Sequence, residues 1–138
     1  LRQLHFAITD LRLHSSIDKN EGKTADEIRR EIAKRTTVIE PIQEDQFLCC
    51  FSHIFAGGYS SGYYAYLWSE ILDADGFAAF QEAEDIWDQL LAGRLQKWVY
   101  ESGGLKPAEE LYRNFRGKDP DIGPLLVGRG FEQPASSN

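Results

Sequence analysis

The sequence predicts an all-α fold. Apolar residues recur three and four positions apart in most segments, residues that start and stop helices stand at their ends, and no alternating run is long enough for a strand. At 138 residues the chain fits one domain and can bury about two-thirds of its unfolded surface.

The first helix is predicted from Leu1 to His14, with Leu1, Leu4, His5, Ile8 and Leu11 as its apolar stripe. Ser15 to Lys23 is polar and contains Gly22, a loop. Thr24-Ala25-Asp26-Glu27 is a capping box opening a second helix, with Ile28 and Ile32 as its buried stripe and Lys34-Arg35 at its end. Pro41 stops whatever follows it, and the β-branched stretch from Thr36 to Glu40 leaves its own form open. Phe47 to Tyr59 is apolar, then glycine-rich. From Tyr64, the positions Leu67, Trp68, Ile71 and Leu72 mark a helical face, with a break or bend expected at Asp73 to Gly76. Ile86, Leu90, Leu91, Leu95, Trp98 and Val99 mark another helix, closed by Gly103-Gly104. Pro107 suits a first helical turn, and Ala108, Leu111, Tyr112 and Phe115 form a last short helix. Asp119 to Gly130 reads as irregular but apolar, and 132–138 as a flexible tail.

Composition narrows the function. Twenty-two acidic against fifteen basic residues give a net charge of −7, which argues against a nucleic-acid partner. No apolar run approaches the roughly 20 residues that span a bilayer, so no membrane partner is expected. Leu1-Arg2-Gln3-Leu4 does not open a signal peptide, and the missing initiator Met points to a start upstream. Cys49 and Cys50 are neighbours; a bridge between them would force a strained ring, so buried free thiols are expected. None of the three histidines, His5, His14 and His53, opens an H-E-x-x-H, and nucleophile-elbow, phosphate-loop and dinucleotide motifs are absent. His5 reads as a core histidine, His14 as a helix-end residue, Trp68, Trp87 and Trp98 as packing, and Glu82-Ala83-Glu84-Asp85 as a solvated run at a helix start rather than a metal site.

One stretch stands apart: His53, the glycines 57, 58 and 62, and the tyrosines 59, 63, 64 and 66. Glycines allow unusual backbone angles and close approach, while tyrosine and histidine offer hydrogen bonds to a carbonyl or its oxyanion. Two readings stay open: a glycine hinge before an aromatic core helix, or a loop facing a ligand. On a helix starting near Ser61, Tyr63 and Tyr66 share a face, and Tyr64 falls on the core side with Leu67 and Trp68. Tyr63 and Tyr66 are therefore the better functional candidates.

The same stretch resembles the oligopeptidase A, peptidyl-dipeptidase and thimet-oligopeptidase family of zinc metallopeptidases. The motifs that carry the resemblance are His53-Ile-Phe-Ala-Gly-Gly-Tyr59 and Gly62-Tyr-Tyr-Ala-Tyr66-Leu-Trp68-Ser-Glu-Ile-Leu. Leu1-Arg-Gln-Leu-His-Phe-Ala and Asp10-Leu-Arg-Leu-His14 look like the family's preceding helix. Ser102-Gly-Gly, Pro107-Ala, Phe115-Arg-Gly-Lys-Asp-Pro and Leu125-Leu look like its C-terminus. The resemblance covers residues 1 to 131.

The resemblance implies a helical C-terminal portion of a zincin-type catalytic domain, with the zinc-binding helix and its ligands upstream of residue 1. Zinc is then the parent's cofactor, with none expected in this chain, which alone is expected to be inactive. It implies that Tyr66 and His53 donate hydrogen bonds to the developing oxyanion, and that Tyr59 and Tyr63 meet substrate. Gly57 and Gly58 would let the loop admit it. The implied partners are short peptides and the remainder of the parent peptidase, with self-association if an apolar face including Phe47, Phe51, Ile54 and Phe55 is left bare. The implied location is the cytoplasm or an organelle matrix. The alternative from the residues is a non-catalytic helical module binding peptides or a partner through the same loop.

Overall fold

Residue-level packing follows from where each helix finds its caps and its polar partners. The computed structural model describes residues 1–15 and 22–131; the expected tail and most of the 15–23 loop lie outside them. Seven α-helices, a 3-10 turn and a π-helical turn make up the regular structure of the described residues, with no strand among them, so the all-α expectation holds. The chain divides into two compact units, Leu1–Trp68 and Ser69 onward.

In the first unit, α1 (Arg2–Ser15) packs on α2 (Ala25–Thr36). The capping box forms as expected: the Glu27 N–H donates to Thr24 Oγ1, and the Thr24 N–H donates to Glu27 Oε2 at 2.7 Å. His5 is a core histidine. The Thr36 hydroxyl donates to the Ile32 carbonyl at 2.7 Å, which leaves its oxygen to accept from His5 Nδ1 at 2.9 Å. Burial first, then the Arg29 guanidinium, lowers the His5 pKa. Arg29 is itself buried, and its charge is answered by Asp26 and Asp45 at 2.8–2.9 Å. Arg30 clasps the following loop by donating to the carbonyls of Pro41, Ile42 and Gln43.

The face that α1 buries differs from the expected one. His5, Ala7, Thr9 and Asp10 are buried, whereas Leu1, Leu4, Ile8 and Leu11 are 38–61% exposed. Both sides of α1 carry apolar residues, so spacing marks a helix without saying which side is covered. Phe6 and Leu13 join Phe47, Leu48, Phe51, Ile54, Tyr63, Tyr66 and Leu67 in the core. Phe51 and Ile54 are therefore interior residues, not members of a bare apolar face; of the four expected there only Phe55 is exposed. The short α3 (Phe47–Cys50) and a 3-10 turn (Ser52–Ile54) carry this segment inward. Cys49 and Cys50 are free thiols but exposed rather than buried, because α3 turns Phe47, Leu48 and Phe51 into the core instead.

In the second unit the expected break at Asp73 to Gly76 is absent, and α4 (Ala65–Glu82) runs through it. Asp75 is fully buried but satisfied from α6 (Ala108–Arg116). The Tyr112 hydroxyl donates to Asp75 Oδ2 at 2.6 Å, and Arg116 Nε lies 3.3 Å from the same oxygen. Gly76 leaves room for the Phe115 ring, which a Cβ would meet at 3.6 Å. Arg116 also grips Glu82 with two donors at 2.6 and 2.8 Å, so the acidic run closes α4 rather than opening a helix. The Asp88 carboxylate caps α5 (Gln89–Leu95), which excludes Ile86 from it, and the chain continues as one π-helical turn, Gln96–Tyr100. Trp68 and Trp87 are exposed, not packed; Trp98 is half-buried. Pro107 precedes α6 and Gly117, at φ +83°, closes it. The segment read as irregular contains α7 (Gly123–Gly128), with Pro124 in its first turn and the Asp121 carboxylate accepting from the Gly123 N–H.

Candidate functional site

The glycine-rich segment leaves the core at the 3-10 turn and returns to it at Tyr63. The Ser52 carbonyl accepts from the N–H groups of Phe55, Ala56 and Gly57 at 2.8–3.1 Å, so the backbone folds tightly back on itself. Gly57 sits at the closest approach: a Cβ there would stand 2.8 Å from His53 Cα. Gly58 occupies the left-handed region at φ +82°. The Tyr59 N–H then donates to the His53 carbonyl at 3.0 Å, and the Ser60 hydroxyl to the Ile54 carbonyl at 2.6 Å.

This path gathers the aromatic residues singled out in the sequence. The His53 ring lies 6.2 Å from Tyr59 and 5.9 Å from Tyr63, centroid to centroid. Tyr66 lies 5.0 Å from Tyr59 and 4.8 Å from Tyr63. His53 is exposed, Tyr59 borders the surface and Tyr66 is half-buried. Tyr63 is buried, with its ring edge against Phe51 and Phe6. Tyr64, assigned to the core by helical spacing, is exposed instead. The reason is that α4 starts only at Ala65, so residues 61–64 form turns and do not share its phase. Hydrogen bonding to Tyr59, and secondly burial, holds the Tyr66 phenol above its ordinary pKa; burial does the same for Tyr63. Like any phenol, both are protonated at neutral pH and can donate a hydrogen bond.

Asp10 was not singled out from the sequence. Its fully buried carboxylate accepts from the Ser61 N–H through Oδ1 and the Tyr63 N–H through Oδ2, each at 2.9 Å. His14 Nδ1 lies 2.9 Å from Oδ1. The available signal was a carboxylate on the stripe of α1 that holds Phe6 and Leu13, where an unpaired charge would be costly.

Among the described residues no three His, Cys, Asp or Glu side chains converge as a metal site would require. The zinc implied by resemblance thus does not fit these residues. What they bring together is a cluster of phenols and an imidazole, groups able to donate hydrogen bonds to a carbonyl oxygen.

Comparison with known proteins agrees on one family. The model of Peptidase family M3 matches residues 1–131. The chain is 44% identical over 134 residues to the probable cytosolic oligopeptidase A of Arabidopsis thaliana, covering 95% of this chain and 19% of that protein. It is 41% identical over 140 residues to the organellar oligopeptidase A, chloroplastic/mitochondrial, of the same plant, covering 99% of this chain and 18% of that protein. To the oligopeptidase A of Escherichia coli (strain K12) it is 36% identical over 132 residues, covering 96% of this chain and 19% of that protein. It spans about a fifth of the length of these relatives. With nearly all of its residues matched, from the α1 helix through the tyrosine loop to α7, the chain belongs to peptidase family M3.

Proposed function

We propose that this chain is the substrate-facing C-terminal portion of a zinc-dependent oligopeptidase that hydrolyses short peptides. The observation that supports it is the gathering of His53, Tyr59, Tyr63 and Tyr66 on a glycine-shaped loop in a member of family M3. Residues 1–131 form the C-terminal part of the catalytic domain, and the zinc ligands belong to a more N-terminal segment of the parent. That metal supplies the activated water when bound. This chain contributes no metal ligand and is inactive alone.

In this reading Tyr66 and His53 donate to the carbonyl oxygen of the scissile peptide as negative charge builds on it. Each such donor contributes about 3–4 kcal/mol of transition-state stabilisation in comparable hydrolases. The Tyr66 phenol serves this role as the neutral hydroxyl it carries at neutral pH, since only the protonated phenol donates. Tyr59 holds the peptide beside it, the buried Tyr63 backs the Tyr66 ring from the core side, and Gly57 and Gly58 shape the loop that admits the peptide. The partners are short peptides and the remainder of the peptidase, in the cytoplasm or an organelle matrix, as the names of the two plant relatives suggest. No helix among the described residues is long and apolar enough to cross a membrane.

The test is a graft of residues 1–131 into the matching segment of the E. coli oligopeptidase A. Fluorogenic peptide hydrolysis should persist, and Tyr66→Phe or His53→Gln should each lower kcat about 10²–10³-fold with KM little changed. An active graft in which both variants keep full kcat overturns the proposal.

A further inference from the structure

We propose that Asp10 is the positioning residue of the tyrosine site: through two backbone hydrogen bonds from its buried carboxylate, it fixes the turn that brings Tyr59 and Tyr66 together. The inference rests on the reading of the site given above. Asp10 lies on α1, 51 residues away in sequence from its first partner. It is wholly buried, and a buried carboxylate is tolerated only when its lone pairs are answered. Both oxygens are answered by the loop, one by the N–H of Ser61 and one by that of Tyr63. Bonds of this charge-assisted kind are roughly twice as strong as neutral ones.

The turn needs such a hold. Ser61 stands at φ +55°, and it is the only non-glycine residue at positive φ among the described residues. A side chain is disfavoured there, so the conformation persists only where surroundings impose it. The restraint passes directly to the rings. The Gly62 N–H donates to the Tyr59 carbonyl at 2.8 Å, and the Tyr66 N–H to the Tyr63 carbonyl at 3.2 Å. Tyr59 and Tyr66 are thus each one backbone hydrogen bond from the segment that Asp10 grips. Without the carboxylate, Ser61 relaxes to an ordinary extended conformation, the turn opens, and the 5.0 Å ring pairing is lost. Asp10 touches none of those rings itself, so it acts through the backbone and not on substrate.

Asp10→Asn is isosteric but has one acceptor and one donor group, so one of the two amides faces a donor. In the 138-residue chain, the amide resonances of Ser61 and Tyr63 should shift, their hydrogen exchange should rise, and the Tyr66 phenol should titrate closer to its ordinary value. In the graft, Asp10→Asn should lower kcat by about 10–100-fold, as expected for a misplacement near 1 Å, with KM within about twofold. Ser61→Gly, free at positive φ, should restore part of that kcat in the Asp10→Asn background. Ala33→Gly, buried in α2 away from the loop, should lower thermal stability and leave kcat intact. If Asp10→Asn does not fold, Ser61→Val attacks the same turn from its exposed side and should lower kcat in the same way. Unchanged kcat in Asp10→Asn, or in Ser61→Val where that is the variant measured, beside a large loss in Tyr66→Phe, overturns the positioning role and spares the site. If Tyr66→Phe is silent the site reading falls, and unmoved Ser61, Tyr63 and Tyr66 signals in the chain would overturn the positioning role independently.

Discussion

Replacing Gly57 by alanine adds one methyl group where the loop has no room for it. The new Cβ would stand 2.8 Å from His53 Cα and 3.0 Å from the His53 carbonyl oxygen, whereas ordinary contact begins at 3.4 Å. Both neighbours are backbone, so no side chain can rotate away, and the chain must give by about half an ångström or more. Overpacking of this kind costs about 1–3 kcal/mol. Against it stands the gain from a stiffer unfolded chain, about 0.4–1 kcal/mol for Gly→Ala. Overpacking wins, for a net loss of about 1–2 kcal/mol. The displaced atoms belong to His53, so a loss of kcat in the peptidase graft should accompany the loss of stability. Gly58→Ala is the comparison: its Cβ meets nothing within 4 Å, but φ +82° strains any L side chain. Gly58→Asn should therefore be milder than Gly58→Ala, whereas no small residue rescues position 57. Urea denaturation followed by circular dichroism, with peptide hydrolysis by the graft, measures both effects. A Gly57→Ala variant equal to wild type in denaturation midpoint and kcat would refute the close-approach argument.

Three further outcomes follow from the packing. His5 has its folded-state pKa below the unfolded value of 6.5, so the unfolded chain takes up the proton first. Its stability contribution is complete above pH 6.5 and is lost as pH falls through the folded-state value; urea midpoints between pH 8 and 5 should show this decline, and His5→Gln should flatten it. Asp75→Ala should cost about 3–5 kcal/mol in the same assay, since it strips the buried partner from Tyr112 and Arg116, while Asp75→Asn should cost less. The chain should self-associate at micromolar concentration in sedimentation velocity, driven by Leu1, Leu4, Ile8 and Leu11, because each such side chain covered contributes about 1.5–3 kcal/mol; a stable monomer would contradict it.

Much of the fold was legible because helix ends have local chemistry. Thr24 with Glu27, and Pro107 before α6, act within a turn of themselves. The tyrosine loop was legible as a motif, since glycines and hydroxyl-bearing rings cluster within a few positions. What was not legible is pairwise and long-range. Asp10 meets Ser61, and Asp75 meets Tyr112, across dozens of residues, and nothing near an aspartate in sequence says that it will be buried and satisfied. Asp75 and Gly76 looked like a helix break for that reason, although α6 makes them a close and satisfied contact. Phase was the other gap. Tyr63 and Tyr64 exchanged sides because the turn at Ser61 delays the start of α4. Leu1, Leu4, Ile8 and Leu11 were assigned to the interior because α1 is apolar on two sides.

The central claim is that Tyr66 and His53 stabilise charge in a transition state rather than merely bind peptide. Affinity of the graft for a phosphinic peptide, whose tetrahedral oxygens mimic that charge, tests it against affinity for the matching uncleaved peptide. Tyr66→Phe and His53→Gln should weaken the phosphinic peptide about 10²-fold or more and leave the uncleaved peptide within a few-fold. Equal weakening of both ligands, or of neither, would contradict the account.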